Sequence, residues 1–568
     1  QSLESYKKAI EIQPNHLEAY NNLGMGFLKL KKYQDAIQNF DRAIKIKSDY
    51  AVVHYNKGNL LFEIEKIDES LQSYDLAIKI NPSYAEAYYN KGNLLLAANC
   101  NDEALENFKK VLEINPDFES LISTIMHTKL KLCDWKNFDE DLQNLKNTVF
   151  DPKKSFNPHT LLFSYDSLKS QKTAAKKWSD KLISFTLSEK KISNFSKLSK
   201  DLNLDQKKEI KKKIRIGYFS ADFRKHAVGN LVVNLLELHD KSKFEIYCFY
   251  FGPDTDDEIY KRISNTVFKF INVKSKSEKE IAQLSNNLGI DIGVDLMGYT
   301  VKNRFKIFIE RCAPLQVSYL GYPGTTGSDY FNYIIADKVL IPKENQKYYS
   351  EKIIYLPNTF MTTDSKKKIS KKTFTKEELG LPRNGFVFCC FNQSYKILPK
   401  FFDVWMKILK RVDGSVLWLF KSNDVSCINL KQEAINRGID PERIIFADFL
   451  TSFEDHLARY GAADLFLDTS PYNAHSTCCD SLKGGLPVLT LQGETYASRV
   501  SSSLLNLLGL NKLITQTTKE YEETAVELAN DLTILKNIKI KLVNLRNTSP
   551  LFNTKLFTTH IEKAYILM

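Results

Sequence analysis

Several features that would assign this chain to a common functional class are absent from its sequence. No run of 18 apolar residues occurs among the 568 residues, so the sequence predicts no membrane-spanning helix. Neither a GxxxxGKS/T loop nor a well-placed GxGxxG turn is present, which argues against a P-loop nucleotidase and against a dinucleotide-binding protein. No acidic pair of the DxD kind follows a predicted strand, so we expect a site that works without a metal ion.

The sequence also lacks metal-site cysteine spacing and a strong net charge. The nine cysteines form no CxxC pair and have no zinc-site spacing, which indicates reduced thiols in a cytoplasmic protein. The net charge of +12 is modest for this length, and much of it lies in one basic run, residues 207–213. Such a run is more typical of a solvated linker than of a nucleic-acid site. The composition therefore favours a protein whose partner is neither a membrane nor a nucleic acid.

A repeat of 34 residues runs through the first part of the chain, where Gly24, Gly58 and Gly92 mark the period. The same spacing relates three further columns of small, aromatic and proline residues: Ala36, Ser70 and Ala104; Phe40, Tyr74 and Phe108; Pro14, Pro82 and Pro116, with Ser48 in the missing proline position. This pattern is typical of tetratricopeptide repeats, in which paired helices meet at small residues and proline follows the second helix. We therefore predict an α-solenoid over residues 1–118, beginning with the second helix of a truncated repeat at residues 2–13.

Asparagines recur on the first predicted helix of each repeat, which lines the concave face of such a solenoid. They are Asn21, Asn22, Asn56, Asn59, Asn90 and Asn93. Side-chain amides in these positions could hydrogen-bond the backbone of an extended peptide, so we predict that protein acceptors bind in this groove. The alternative is that the amides only solvate it. Repeats of this kind also allow an oligomer to form, and residues 119–205, which stay helical but lose the repeat, are predicted to be an irregular connector.

After about residue 205 the pattern changes to short apolar strands that alternate with helices. This pattern predicts parallel sheets with helices on both faces. We expect two Rossmann-like, doubly wound domains, at residues 206–375 and 376–568, so the fold class is α plus α/β. The predicted strands lie at residues 213–223, 244–252, 289–300 and 314–327, and then at 386–393, 415–422, 443–448, 465–469 and 486–491. A cleft between two such domains binds ligands at the carboxyl ends of the strands.

Cationic and hydroxyl side chains follow the predicted strands of the second domain. Lys396 comes after the strand that ends at residue 393, and Ser476 and Thr477 stand between another strand and a helix. The first amides of a helix, with nearby hydroxyls, bind anions, and a lysine can neutralise a phosphate oxygen. The residues therefore predict a metal-independent diphosphate site. A nucleotide-sugar transferase needs such a site, because negative charge develops on the departing diphosphate in the transition state.

Several ordered motifs run through both predicted domains. They are DFRKH at 222–226, GYT at 298–300, GYPGTTG at 321–327, YSEKIIYLPNTF at 349–360, FNQSYKI at 391–397, VLWLF at 416–420, EDHLARYGAADLFLDTSPYNAHSTCCD at 454–480 and GETYASRV at 493–500. With these motifs the chain resembles the O-linked N-acetylglucosamine transferases and their SPINDLY-type relatives. Those proteins join tetratricopeptide repeats to a two-domain glycosyltransferase of the B type (GT-B).

The resemblance implies roles for individual residues. Lys396 would contact the diphosphate and support its departure, with Gln393 beside it, and His226 would face the reacting centre. His456 would stack on the nucleotide base or hydrogen-bond to it, with Arg459 beside it. The other implied contacts are to phosphate and ribose, from His475, Ser476, Thr477 and Asp480, and to the sugar, from Gly321, Pro323 and Thr325.

The resemblance also implies a reaction, the inverting transfer of N-acetylglucosamine from UDP-N-acetylglucosamine to Ser or Thr of proteins, without a cofactor. The segments at 456–459 and 493–500 are similar to those of members that use a uridine donor. SPINDLY-type members use GDP-fucose, and the segment at 470–477 lies between the two groups. The alternatives are therefore a protein O-fucosyltransferase, a glucosyltransferase acting on asparagine, and a repeat scaffold with an inactive catalytic half.

The sequence departs from the animal members of that family near the implied acceptor side. Asn230 stands where they have a second histidine, and Asp291 also occupies a histidine position. Asp295 and Met297 replace two asparagines. The general base therefore stays open between His226, Asp291 and a chain of water molecules.

Overall fold

The structure, a computed structural model, describes residues 2–118, 121–189 and 213–568. The chain divides into two compact units, Gln1–Leu132 and Cys133–Met568. The predicted linker at 207–213 lies, apart from Lys213, outside the described residues, as does the end of the predicted connector. The domain boundaries at 118, 205 and 375 stay predictions.

The first unit is built from paired helices. They are α1 (Ser2–Ile12), α2 (Leu17–Lys29), α3 (Tyr33–Ile46), α4 (Ala51–Glu63), α5 (Ile67–Ile80), α6 (Ala85–Ala97), α7 (Asn101–Ile114) and α8 (Leu121–Leu132). Pro14, Pro82 and Pro116 each stand two residues beyond the end of a second helix, where a residue without a backbone N–H no longer interrupts the helix. The predicted helical repeats are confirmed.

The glycine and aromatic columns of the repeat are two sides of one contact. A Cβ atom on Gly24 would lie 2.7 Å from the ring of Phe40, and one on Gly58 would lie 2.7 Å from Tyr74. Both rings are fully buried. The two helices of a repeat can therefore approach this closely only where the first carries glycine, which explains why both columns keep the same period.

The asparagines of the repeats largely bind one another. The Nδ2 of Asn56 donates to Oδ1 of Asn21 at 2.8 Å, and the Nδ2 of Asn90 donates to Oδ1 of Asn59 at 2.7 Å. Asn21 and Asn56 are buried. These amides link neighbouring repeats, so fewer of them are open to a peptide than the sequence suggests.

The second unit begins with helices that pack on the sheet domains. They are α9 (Phe138–Phe150), α10 (His159–Ser164) and α11 (Leu168–Glu189). The ring of Phe163 lies 5.0 Å from that of Tyr395, and a Cβ on Gly324 would lie 3.3 Å from the side chain of Leu162. Residues 133–189 are therefore part of the same compact unit as the two sheets.

Two parallel sheets form the rest of the second unit. The strands of the first are β1 (Ile214–Ser220), β2 (Phe244–Tyr250), β3 (Lys269–Asn272), β4 (Ile292–Asp295), β5 (Leu315–Ser318), β6 (Tyr333–Ala336) and β7 (Lys352–Tyr355), and its helices are α12 (Ala227–Leu238), α13 (Glu258–Thr266), α14 (Glu278–Asn287) and α15 (Lys306–Ile309). Among the described residues the strand order is β3-β2-β1-β4-β5-β6-β7. The order reverses between β1 and β4, and such a reversal opens a crevice at the carboxyl ends of the two strands.

The second sheet repeats this plan. Its strands are β8 (Val387–Cys390), β9 (Val416–Phe420), β10 (Ile444–Ala447), β11 (Leu465–Leu467), β12 (Val488–Leu491) and β13 (Ile514–Thr515), and its helices are α16 (Pro399–Arg411), α17 (Asp424–Asn436), α18 (Phe453–Arg459), α19 (Ser476–Gly484), α20 (Val500–Leu507) and α21 (Thr518–Asn530). In the described part of the chain the order is β10-β9-β8-β11-β12-β13, with the reversal between β8 and β11. Two Rossmann-like domains are confirmed.

The end of the chain returns to the first sheet domain. Helices α22 (Leu532–Leu545) and α23 (Thr554–Leu567) follow β13, and α23 packs on α12. The hydroxyl of Tyr565 lies 2.9 Å from that of Tyr218 on β1, and Glu562 accepts a hydrogen bond of 2.7 Å from the amide of Asp240. These buried contacts tie the two sheet domains together. None of the described helices has the length and apolar character needed to cross a membrane.

Candidate active site

Lys396 lies at the reversal of the second sheet. It follows β8 through a single helical turn, and its ammonium donates to the backbone carbonyl of Asn473, which follows β11, at 2.9 Å. The same ammonium lies 3.9 Å from the ring centroid of Tyr472. The crevice at this reversal is the place where a doubly wound sheet binds its ligand. The lysine predicted from sequence is therefore held there, buried and oriented.

Burial brings the pKa of Lys396 close to neutral pH, so that its protonation state depends on its surroundings. Burial lowers its pKa to about 7, against the opposing influence of Asp468. Burial likewise raises the pKa of Asp468 to about 6, opposed by hydrogen bonds that include those from the amide of Ala474 and the hydroxyl of Thr490. An arriving anion would favour the protonated lysine.

The start of helix α19 adds hydroxyls and amides to the same crevice. Asp480 lies four residues after Ser476 and three after Thr477, so it shares a face of the helix with each of them. Cys478 and Cys479 are buried, as expected for packing thiols. Burial raises the pKa of Asp480 to about 6. Asp480 lies in the interior of the helix, so its carboxylate is not an N-terminal cap.

His475 is fixed just before this helix. Its ring stacks on Tyr472 at 4.7 Å, and its Nε2–H donates to the carbonyl of Ala497 at 3.3 Å. Burial and the nearby charge of Lys396 lower the pKa of His475 well below its usual value. The ring is therefore neutral at physiological pH, and its hydrogen bond fixes the proton on Nε2.

Helix α18 carries the pair predicted to bind the nucleotide base. The Nη2 of Arg459 donates to Nδ1 of His456 at 2.8 Å, and Nη1 donates to the carbonyl of Asp448 at 2.6 Å. Burial and the charge of Arg459 lower the pKa of His456 to about 3. The guanidinium carbon lies 4.4 Å from the ring centroid of Phe391. His456 is thus a neutral ring that Arg459 holds in one orientation, and the guanidinium of Arg459 lies against Phe391.

His226 follows β1 at the reversal of the first sheet. Its Nδ1 accepts from the amide of Val228 and lies 3.4 Å from a carboxylate oxygen of Asp222. About 41% of the side chain is exposed, and burial of the remainder lowers its pKa despite the charge of Asp222. A neutral imidazole that reaches solvent at a strand end can accept a proton.

Asp291 lies at the opposite edge of this sheet. It directly precedes β4, and its carboxylate accepts from the backbone amide of Arg215 at the start of β1 at 2.9 Å. All strands of the sheet are parallel, so this is the amino-terminal edge, away from His226. The expectation that Asp291 could act as the base is therefore wrong.

Asp295 is the carboxylate that β4 does bring to the carboxyl edge. It accepts from the amides of Met297 and Gly298 at 2.8 and 3.1 Å, and burial raises its pKa to about 7. The sequence marked this position only as a departure from the animal relatives. Both oxygens bind the turn, so the carboxyl shapes the floor of the crevice.

The GYPGTTG segment packs against that floor. The hydroxyl of Thr325 donates to Glu351 at 2.7 Å and accepts from the amides of Gly327 and Ser350 at 3.1 and 3.2 Å. Pro323 is buried. The Thr325 hydroxyl therefore holds the turn together, and its role as a sugar contact stays a prediction. Glu351, which anchors the turn, lies in the motif at 349–360 but was not predicted as a site residue.

Gly321 allows this turn to touch β4, and its replacement by alanine is expected to be costly. An added Cβ would lie 1.8 Å from the carbonyl oxygen of Leu296, so the backbone must move. We expect Gly321→Ala to lower the free energy of unfolding by about 1–3 kcal/mol, the usual range for overpacking. Chemical denaturation measures this, with Gly461→Ala as the control because a Cβ there meets nothing within 4 Å. Equal stability of both variants would contradict the tight contact.

Asp166, between α10 and α11, was not predicted as a site residue. Its carboxylate accepts from the amides of Glu494 and Thr495 at 2.8 and 3.0 Å and from the hydroxyl of Ser498 at 2.9 Å. The loop so held contains Ala497, whose carbonyl fixes His475. The connector therefore helps to shape the crevice.

Gln393 was predicted to lie beside Lys396. It is exposed on the surface of the turn that also carries Lys396. Within the described residues, no cluster of three His, Cys, Asp or Glu side chains could hold a metal ion.

Family models match both parts of the chain. The model described as Glycosyl transferase family 41 matches residues 132–376 and 369–561, which is more than half of the sequence. A TPR repeat model matches residues 58–99, and a Tetratricopeptide repeat model matches 17–50 and 85–118.

Named relatives extend well beyond this chain. It is 36% identical over 363 residues to the Arabidopsis thaliana probable UDP-N-acetylglucosamine–peptide N-acetylglucosaminyltransferase SEC, covering 63% of this chain and 37% of the relative. The Caenorhabditis elegans UDP-N-acetylglucosamine–peptide N-acetylglucosaminyltransferase is 28% identical over 556 residues (76% and 47%). A Petunia hybrida protein of the same enzyme name, probable SPINDLY, is 31% identical over 370 residues (64% and 39%). The chain spans less than half the length of these relatives.

A solved structure shares the fold. It is a mutant of the Thermobaculum terrenum O-GlcNAc transferase, with a TM-score of 0.68 and 24% identity, covering 97% of this chain and 96% of that chain. At this level of identity the likeness concerns the fold alone.

Proposed function

Because this chain belongs to glycosyl transferase family 41, we propose that it transfers N-acetylglucosamine from UDP-N-acetylglucosamine to Ser and Thr hydroxyls of proteins. The observation that carries the proposal is the crevice at the β8–β11 reversal, where the buried ammonium of Lys396 lies next to the start of α19. The names of the relatives support the donor and the peptide acceptor. The reaction needs no cofactor.

In the proposed reaction, an acceptor oxygen attacks the anomeric carbon as the bond from that carbon to the diphosphate breaks. The configuration at the carbon inverts. Negative charge moves onto the diphosphate, and Lys396 with the hydroxyls and amides of Ser476 and Thr477 stabilises it. Since Lys396 already binds Asn473, its ammonium is oriented before the donor arrives. Its buried position strengthens the interaction with the leaving group.

The nucleoside would lie between helices α18 and α19. His456, which is neutral, offers a flat ring to the base, and Arg459 fixes that ring in place. Asp480, one turn along α19 from the phosphate end, can accept hydrogen bonds from ribose hydroxyls. This arrangement suits a nucleotide, and the names of the relatives specify a UDP-sugar.

The acceptor hydroxyl loses a proton as it attacks. His226 is the residue best suited to take it, because its imidazole is neutral at physiological pH and about 41% of it is exposed at the carboxyl edge of the first sheet. The repeats support binding of the acceptor protein along the first unit. Asn22 and Asn93, the more open amides of the repeats, are the proposed contacts there. The free state of all nine cysteines supports a cytoplasmic location.

The experiment that tests the proposed donor is nucleotide release. The chain is incubated with acceptor peptides and, separately, with UDP-N-acetylglucosamine, UDP-glucose and GDP-fucose. We expect acceptor-dependent release of UDP from the first donor at a rate at least about tenfold above either other donor, because the site recognises both base and sugar. Faster release of GDP from GDP-fucose would show that the chain is a fucosyltransferase instead. No release from any donor would favour the scaffold alternative.

A further inference from the structure

Lys367 belongs to the segment that joins the two sheets, between β7 and β8. Its ammonium lies 3.7 Å from the ring centroid of Phe453, the first residue of helix α18. The amide of Ser370 donates to the carbonyl of Glu454 at 3.2 Å, which holds the segment along the same helix. The ring of Phe453 is itself 5.9 Å from that of His456. The segment thus delivers a cation to the edge of the candidate nucleoside site.

The surroundings of this cation are unusual for a surface lysine. Burial lowers the pKa of Lys367, and the charge that opposes this lowering most is that of Asp480 on α19. In the described parts of the chain, the Lys367 ammonium makes neither a hydrogen bond nor an ion pair, and it lies over the Phe453 ring. Lys483, the other cation near Asp480, donates to the carbonyl of Asp364 at 3.1 Å. Lys367 therefore keeps its hydrogen-bonding capacity in a place where leaving it unused is unfavourable.

Lys367 lies against α18, and Asp480 stands on α19, the helix that packs on α18. An ammonium and a carboxylate that influence each other's charge in this way, with no ion pair between them in the described residues, suit a particular ligand. A cis-diol offers one hydroxyl that donates to a carboxylate and one oxygen that accepts from an ammonium. The ribose of a nucleotide carries such a diol. The face of Phe453 meanwhile supports the cation through a cation–π contact.

We propose that Lys367 binds the ribose of the donor nucleotide, sharing its two hydroxyls with Asp480. This inference rests on the proposed function, because it takes UDP as the nucleotide. It makes the segment between the sheets part of the binding site, so the nucleoside is held by α18, α19 and this segment together.

Calorimetric titration with UDP tests the contact. Lys367→Met keeps the apolar stem on Phe453 and removes only the ammonium, and we expect about tenfold weaker UDP binding, the usual effect of losing a hydrogen bond from a charged group. The matched control is Lys368→Met, since Lys368 is the next residue in the chain and is exposed. Lys367→Arg, which keeps a cation, is expected to bind UDP within a few fold of the unchanged protein.

Deoxy analogues identify the group that Lys367 touches. With 2′-deoxy-UDP or 3′-deoxy-UDP, whichever lacks the contacted hydroxyl, the unchanged protein and Lys367→Met are expected to bind equally. A tenfold difference that persists with both analogues would overturn the ribose assignment, and unchanged UDP binding by Lys367→Met would overturn the inference while leaving the proposed function intact. If the unchanged protein does not bind UDP, the proposed function fails and this inference with it. Far-UV circular dichroism verifies that each variant is folded.

Discussion

Replacing Lys396 by methionine is expected to lower kcat for sugar transfer by about 10³-fold. One preorganised group that stabilises developing charge typically contributes 10²–10³ in kcat, and this ammonium is both buried and oriented by Asn473. Methionine keeps the length of the side chain, so the loss comes from the charge. Nucleotide release with a saturating acceptor gives kcat.

The matched control is Lys400→Met. Lys400 lies four residues further along the chain, is exposed, and pairs only with Asp139 at 3.0 Å in the described residues. We expect this variant to keep kcat within about twofold, since exposed ion pairs contribute little. A Lys396→Met enzyme with normal kcat would contradict the assignment of the diphosphate site, even if its KM rose.

The lowered pKa of Lys396 also predicts a pH dependence of nucleotide binding. In the free protein the pKa is about 7, and a bound diphosphate raises it, because the anion favours the charged lysine. UDP affinity is therefore greatest below about pH 7 and falls as the pH rises between the free and the bound pKa. Binding above pH 7 takes up protons, which calorimetry in buffers of different ionisation enthalpy detects. Proton uptake that persists unchanged in Lys396→Met would contradict this assignment.

Replacing Asp166 by alanine is expected to lower kcat/KM by about 100-fold although Asp166 does not touch the substrate. Three donors of the loop at 493–498 lose their acceptor. That loop supplies the carbonyl of Ala497, which binds both the amide of Asn473 and the ring of His475. Asn473 in turn supplies the carbonyl that orients Lys396. Small displacements of catalytic groups are costly because reaction requires close alignment.

Separate kcat and KM values distinguish positioning from folding. A positioning role predicts a lower kcat in folded Asp166→Ala, with Asp166→Asn intermediate because its amide oxygen keeps one acceptor. Asp180→Ala is the control, because Asp180 lies on the helix that follows Asp166, is exposed and pairs with Lys176. If Asp166→Ala has normal kcat and KM but a lower melting temperature, the loop does not position the site.

The sequence predicted those parts of the structure that depend on local pattern. Gly24 and Phe40 indicate a contact between two helices, because residues of the same kind recur 34 positions later and make the same contact. Strands with buried apolar runs, such as β1 and β9, were also predicted. Four of the described strands were missed. Strand β3 is partly exposed and carries no apolar run, and β13 has only two residues. Strands β6 and β7 have four residues each, too few for a clear pattern.

The pattern of strands and helices alone pointed to Lys396 and Ser476, because each stands between the end of a strand and the next helix or at the start of that helix. Asp291 precedes its strand, and strand polarity places it at the other edge of the sheet. Asp166 and Lys367 reach the crevice through contacts with residues far away in the sequence, and no local pattern encodes such contacts. The pKa shifts were unpredictable for the same reason, since burial in the folded chain causes them.

The most direct test of the central claim is mass spectrometry of acceptor peptides after incubation with the chain and UDP-N-acetylglucosamine. The account predicts an N-acetylhexosamine adduct on Ser or Thr, formed by the unchanged chain and by Lys400→Met and absent from Lys396→Met. A deoxyhexose adduct formed only from GDP-fucose, or an adduct on asparagine, would contradict it.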